Sequence, residues 1–480
     1  MIRQYTKLVR YQSTSVPQRL FNIAETADKI RDETKLKIPN DITKISPEPN
    51  PPIFKSKNGY QEVTPYTKIQ YSNVDKVKKK KPINVIRFFE SSFLGKNIDF
   101  FKRQIAEGNL WLLRAPDNAP PLSKKIFLKD GYSSYEIIKG PGLFDEVLRS
   151  TDVIVNHACI HELKVPDLAD NNKKLPFGNL EIIYEDKRLI VVNKPPGLPI
   201  HPSGMAYRFN SLLYLLTVRE NQIKGKETEI DEESRDFKHA VYSCHRIDKD
   251  TSGIVIFAKN TNKAIEMNKI IEYKKFITKK YIALVHGNFG KKIKTSKHPV
   301  VEVDLAKRYE NGGIGKKIQY GKSQFKPIHY DPNSDTTLIE CTILTGRRHQ
   351  IRQHLRNINV HIVNDPLYGI NGILKDPMHH FPEKQLFLKL RREYELQLEK
   401  RIQNWEKESI CTNCGHITYR DPNESKNNYM RLHSFEYTYQ TDVNGKPEWS
   451  FKTKLPQWAK DVLPADKVTM LESESELKNE

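Results

Sequence analysis

Apolar positions recur with two different periods along this chain, and the change of period divides it. Residues 83–93 (INVIRFFESSF) and 98–112 (IDFFKRQIAEGNLWL) carry apolar residues at helical spacing, the second run ending at Gly108 before a short strand. After a Pro-, Gly- and Ser-rich stretch at 115–150, residues 151–162 (TDVIVNHACIHE) read as a strand. These patterns predict a small α/β module over 83–165. A polar, turn-rich boundary follows at 166–179. Beyond it short β-branched runs dominate: LEIIYED, RLIVVNKP, IVIFAK, KKYIALVHG and TTLIECTIL. Two helical stretches lie between them, NSLLYLLTVREN and NKAIEMNKIIEYKKF. Strands with interspersed helices predict an α+β domain over 175–462.

The remaining stretches have no such pattern. SPEPNPP (46–52) and KVKKKKP (76–82) suit neither helix nor central strand, so 26–82 is expected to be a flexible basic and Pro-rich linker. Residues 222–238 read as an exposed charged insertion, 385–408 as a long solvated helix, and 463–480 as an acidic disordered tail. No internal repeat is present. Residues 1–25 hold Arg3, Lys7, Arg10 and Arg19 and no acid before Glu25. That pattern predicts a mitochondrial targeting segment, the competing expectation being a basic arm on a cytoplasmic protein that touches RNA.

Charge narrows the partners. The 480 residues carry a formal net charge of +20, a field that favours polyanions. With 22 Tyr and 20 Phe, most of the chain has the means to fold. No apolar run approaches the ~18 residues a membrane span needs, so no membrane partner is expected. Five scattered cysteines read as reduced thiols. Cys411 and Cys414 have ligand spacing but make only half a zinc site, and no metal is expected.

Candidate chemistry lies in five stretches, in a fixed order. They are IIYEDKRLIVVNKPPGLPIHPSG (182–204), HRIDKDTSGIVIFAKN (245–260), KKYIALVHG (279–287), LTGRRHQIRQHLRNINVHIVNDPLYG (344–369), and RLHSFEYTY with WSFKTKLPQWA downstream. The second sets Asp248 and Asp250 among cations just before an apolar run. Two carboxylates so spaced on extended backbone point opposite ways, which does not suit the paired acids of a glycoside hydrolase. Asp250 is expected to cap the Thr-Ser-Gly turn. A zinc nucleobase deaminase needs H-x-E and P-C-x-x-C, and neither occurs. There is no dinucleotide fingerprint or phosphate-cradling glycine loop, and no cofactor is expected.

In content and order these stretches resemble the catalytic domain of the RluA family of RNA pseudouridine synthases, over about 180–460. The second resembles that family's active-site signature, with Ile247 where Leu is usual, and the fourth its Gly-Arg-x-His-Gln-Ile-Arg element, with Arg348 where Thr is familiar. The module at 83–165 resembles the S4-like RNA-binding region of the eukaryotic tRNA-modifying branch, with a longer insertion near 113–150. The resemblance implies a mixed, mostly antiparallel central sheet flanked by helices and loops. It implies Asp248 as the catalytic carboxylate, Arg347 as its cationic partner, and Tyr281 as the ring that stacks on the target base. Arg246 would help open the RNA and hold a flipped-out nucleotide's place, and His245, Arg352, His349 and Lys194 would join it in binding the RNA. Whether Asp248 attacks C1′ or removes a neighbouring proton stays open. The implied protein is a monomeric enzyme acting on tRNA near nucleotides 31–32. Alternatives are a synthase acting on rRNA and an inactive RNA-binding relative.

Overall fold

A computed structural model of the chain describes residues 179–202, 208–226, 238–273, 276–302, 317–372, 429–441 and 447–473. Before these it describes 54–57, 60–63, 66–73, 98–106, 108–116, 135–149, 151–162 and 164–168, besides a few short stretches and single residues. The targeting segment, the Cys411/Cys414 pair and almost all of the charged stretch 385–408 lie outside the described residues.

The N-terminal elements are β1 (Phe54–Lys57), β2 (Tyr60–Val63), β3 (Tyr66–Asn73), α1 (Ile98–Ala106), β4 (Leu110–Arg114), β5 (Glu136–Ile138), β6 (Val153–Ile160) and β7 (Val165–Pro166). Three of these strands fall inside the segment expected to be a linker. Strand β3 pairs with β6 along eight residue pairs, and β4 and β5 complete a sheet of order β3-β6-β4-β5. Proline and lysine runs on both sides masked the strand, whose stability comes from a partner some 90 residues away. Residues 135–149, within the stretch resembling an insertion, also fold in. Leu143 and Leu148 join Phe101, Ile105, Leu110 and Ile154 in one core, and buried Arg114 bridges Glu146 at 2.8 Å and Asp152 at 3.1 Å.

The C-terminal domain begins with β8 (Glu181–Glu185), β9 (Leu189–Lys194), α2 (Leu212–Ile223), β10 (Tyr242–Ser243), β11 (Ser252–Ala258), α3 (Thr261–Tyr273) and β12 (Ile277–His286). It continues through β13 (Lys294–Ser296), β14 (Pro299–Glu302), β15 (Lys317–Tyr320), β16 (Ser323–Asp331), β17 (Thr336–Ile343) and α4 (Gln350–Asn357). It closes with β18 (Leu432–Tyr439), β19 (Trp449–Lys452), α5 (Gln457–Lys460) and α6 (Ala465–Ser473). Ten strands form one sheet of order β13-β16-β17-β12-β18-β11-β9-β8, with β10 on β11 and β19 on β18. Every pairing is antiparallel except β11 with β18, so the sheet is mixed and mostly antiparallel, as the resemblance implies.

Period 2 on β12 explains its unbroken apolar run. Tyr281, Ala283 and Val285 face the main core, shared with Leu212 and Leu216 of α2 and Met267 of α3, while Ile282 and Leu284 pack on the other side with Leu338, Phe435 and Leu455. Both faces are covered. The second cover includes α6, whose Val468 and Leu471 sit on that cluster while Glu472 accepts from Leu455 N. The tail expected to be disordered from 463 is therefore helical through Ser473. Its acidic composition hid two apolar residues three positions apart.

Helix α2 starts at Ser211, whose hydroxyl accepts from Tyr214 N. Just before it, the Phe209 and Asn210 N–H groups donate to the Glu162 carboxylate at 2.8–3.0 Å. An acid from the N-terminal part thus sits at the positive end of a C-terminal-domain helix.

Candidate active site

The loop that carries Asp248 runs from β10 into β11, and both ends are tied. Cys244 N donates to Ile256 O, and Ile256 N donates to Nε2 of His245 at 3.1 Å, so the imidazole supplies the rung that a third β10 residue would have made. Beyond the loop, Ser252 and Gly253 are not a turn; they open β11 and pair in parallel with His433 and Ser434. Gly253 has φ +107, and a Cβ there would meet Ser434 O at 2.1 Å. Only glycine allows β18 that close. Ser252 Oγ lies 2.8 Å from Nδ1 of buried His433, whose Nε2 reaches Thr453 Oγ1 at 2.6 Å.

From inside, the loop is held by Lys194, whose side chain is fully buried. Its Nζ donates to the carbonyls of Pro195, Leu198 and Lys249 at 2.8–2.9 Å, and Gly197 N donates to Lys249 O as well. Burial lowers this ammonium to about 7, against the pull of Asp250 and Asp248. The expectation that Lys194 contacts RNA is thereby corrected: its three donors are spent on the protein, and the residue it clamps is the one after Asp248. Lys194→Ala is expected to remove one donor from each of three carbonyls and to cost at least about 2 kcal/mol of stability. It should lower kcat with little change in KM; chemical denaturation and steady-state kinetics on the same variant check both.

Asp248 stands at a cleft of about 430 Å³ also lined by Arg246, Tyr281, Arg347, His349, Arg352 and Tyr437. That is room enough for a small ligand. Its Oδ2 accepts from Arg352 Nη1 at 2.9 Å, and its Oδ1 lies 3.6 Å from His349 Nε2. Burial pushes the carboxyl up, yet the charges of His349, Arg352 and Arg246 and the Arg352 hydrogen bond bring it below the usual aspartate value. Burial takes His349 itself down to about 4, so at neutral pH Arg352 is the neighbour whose charge keeps Asp248 ionised.

Sequence reasoning assigned that partnership to Arg347, and the geometry corrects it. Arg347 shares the cleft, but its Nε donates to Tyr320 O at 3.3 Å. Arg347 precedes α4, whereas Arg352 lies on the helix, whose first turn aims it inward. Arg352 also binds Asp365 through Nε at 2.8 Å and Nη2 at 2.7 Å, in the two-pronged geometry specific to arginine. Asp365 is the only acid in 344–369, a signal that could have singled it out. Its Oδ1 accepts in addition from Leu367 N and Tyr368 N.

Other expected residues take varied places. Tyr281 is buried at the cleft beside a bulge in the β12–β18 pairing, its hydroxyl 2.6 Å from that of Tyr437. Arg246 is exposed and lines the cleft. His245 presents its ring to the cleft, but its Nε2 is already used by Ile256. Asp250 is no cleft-lining residue; it lies 3.8 Å from Lys249 Nζ, partly exposed. Besides Asp365, sequence reasoning missed Tyr437, Tyr368 and Gln350. Gln350 Oε1 accepts from Arg347 N and Thr345 Oγ1 while its Nε2 donates to Lys322 O and Ser323 Oγ, fastening the arginine loop to β16.

The family model for RNA pseudouridylate synthase matches residues 188–357, the stretch that supplies most of this cleft. Similar proteins include the tRNA pseudouridine(31) synthase of Saccharomyces cerevisiae, 27% identical over 437 residues, with 84% of this chain and 96% of the relative aligned. The mitochondrial tRNA pseudouridine(32) synthase of the same yeast is 26% identical over 326 residues, covering 65% of this chain and 64% of the relative. A ribosomal large subunit pseudouridine synthase C of Buchnera aphidicola is 30% identical over 253 residues, 48% of this chain and 73% of the relative. The loop, the Lys194 clamp and the Asp248–Arg352 pair fall within the matched residues, and the chain belongs to the RNA pseudouridylate synthase family.

Proposed function

We propose that this protein isomerises uridine to pseudouridine in the anticodon arm of tRNA, near nucleotides 31 and 32, without a cofactor. The observation that carries the reading is the Asp248 carboxylate, held ionised by Arg352 in a cleft that Tyr281 also lines. The reaction breaks C1′–N1, turns the uracil and joins C5 to C1′; the C5 proton leaves and N1 gains one, so atoms balance with no redox change. It asks for one ionised carboxylate at the ribose. Asp248 serves whether it attacks C1′ or takes the proton next to it. The Tyr281 ring gives the uracil a stacking surface worth about 1–3 kcal/mol, offsetting part of the cost of extruding it. Arg246, exposed at the cleft, takes the extruded nucleotide's place in this reading. The N-terminal module, S4-like in sequence, serves in this reading as a second RNA contact.

The names of the two yeast relatives support tRNA and the two positions, and the second supports a mitochondrial site of action. The bacterial relative favours a second reading, a ribosomal RNA substrate. Mapping pseudouridine in cytosolic and mitochondrial tRNA and rRNA from cells lacking the protein decides between them. Loss at one anticodon-arm uridine is expected; loss confined to rRNA overturns the tRNA assignment, and no loss anywhere overturns the activity.

Binding should be electrostatic, given the net charge of +20. With at least four phosphates neutralised, affinity for tRNA is expected to fall roughly 50-fold between 50 and 200 mM salt. A filter-binding titration at several salt concentrations reads the slope.

A further inference from the structure

Asp248 is held on both sides by groups that converge on one short segment, residues 364–369 (NDPLYG). Through Asp365 that segment grips Arg352. Through Tyr368 it reaches His349, for the phenol oxygen lies 3.1 Å from His349 Nδ1. The Tyr368 ring also has the Arg352 guanidinium 5.0 Å and the Arg356 guanidinium 5.1 Å from its centre, so its position is fixed from several directions.

His349 is unusual in its own backbone. It occupies the left-handed region at φ 55, ψ 26 at the start of α4, and its side chain makes no capping hydrogen bond to the helix. A β-carbon residue in that region is held there by its surroundings, and such positions cluster at functional sites. The effect is to turn the imidazole away from the helix end and into the cleft, with Nε2 3.6 Å from Asp248 Oδ1.

We propose that Tyr368 and His349 form a relay that positions Asp248: the Tyr368 hydroxyl donates to His349 Nδ1, the proton of the neutral ring sits on Nε2, and that N–H steadies Asp248 Oδ1. The alternative tautomer puts a lone pair against a carboxylate and is repulsive. Burial keeps Tyr368 protonated, its phenol raised to about 12, and keeps the imidazole neutral at physiological pH. The groups facing the ring are Asp248, Arg352, Arg348, Asp365 and Tyr368. In this arrangement each oxygen of Asp248 has its own donor, Arg352 for Oδ2 and His349 for Oδ1, and the gap at Oδ1 closes when substrate settles. His349 is then a positioning residue, in place of the RNA-binding role that the resemblance implied.

The relay rests on the proposed activity, and its test separates the two. Wild-type protein that makes no pseudouridine ends the activity reading, whatever the variants do. Given an active wild type, Tyr368→Phe keeps the ring and loses only the donor. It is expected to lower kcat about 10-fold or more, the worth of one hydrogen bond in a charged network, with KM within threefold. His349→Asn, a residue tolerated in the left-handed region, is expected to lose as much. Adding Tyr368→Phe to it should cost less than twofold more. A loss expressed in KM, a Tyr368→Phe kcat within twofold of wild type, or additive losses each overturn the relay. Nitrogen-15 spectra of the histidines in wild-type protein read the tautomer without any variant. A proton on Nε2 of His349 is expected, and a proton on Nδ1 overturns the proposal.

Discussion

Asp248→Asn is expected to produce no measurable pseudouridine on any tRNA while binding tRNA within a few fold of wild type. The substitution keeps shape and removes charge. An asparagine oxygen can still accept from Arg352 Nη1, and Arg352 keeps its two bonds to Asp365, so the buried guanidinium stays partnered. Stability should therefore change little. What disappears is the negative oxygen, which both routes at the ribose require. A loss of at least about 10³-fold, equivalent to about 4 kcal/mol of barrier, is the smallest effect consistent with that requirement. Affinity is set elsewhere, by phosphate contacts across a surface of net charge +20. Single-turnover assays with labelled uridine, run beside filter binding on the same preparation, separate the two quantities. Retained turnover in this variant would falsify the assignment of Asp248.

The catalytic domain was legible because its signals are local. The apolar run YIALV and the β-branched runs of strand length state their structure within a few residues, whereas the Ser-Gly pair read as a turn opens β11, where Gly253 is explained by the strand beside it. Asp248, Tyr281, Arg246, Arg347, His349 and Arg352, named together from the sequence, all line one cleft. Which residue holds which was not legible. Arg347 and Arg352 are alike in type and five positions apart, and what separates them is the turn of a helix and an acid thirteen residues beyond Arg352. Lys194 reads as a solvent-seeking cation until three carbonyls are seen around its nitrogen. Strand β3 and helix α6 failed for the same reason: their stability comes from distant partners, whereas their own composition resembles linker and tail.

Replacing Arg352 tests the correction to the site directly. Arg352→Met keeps the side chain's length and apolar stem but strands two carboxylates, Asp248 with about a quarter of its side chain exposed and Asp365 with none. Breaking a buried ion pair from one side costs about 3–5 kcal/mol, so this variant should unfold at clearly lower denaturant concentration than wild type. Arg352→Lys restores charge but not the fork; a single ammonium cannot reach Asp248 while binding both oxygens of Asp365, and activity should remain severely reduced. The pH dependence gives the sharper sign. In the wild type the folded-state carboxyl of Asp248 lies below its ordinary value, because Arg352, His349 and Arg246 outweigh burial. Its stabilising contribution is thus present above about pH 4 and lost as pH falls through the lower, folded value. Without Arg352 burial dominates, the carboxyl rises, and the acid limb of the rate profile should move up toward neutrality. Arg347→Ala, by contrast, frees only the Tyr320 carbonyl and should leave that limb where it is, with effects mainly on RNA affinity. If Arg347→Ala shifted the acid limb and Arg352→Met did not, the partnership drawn from this geometry would be wrong.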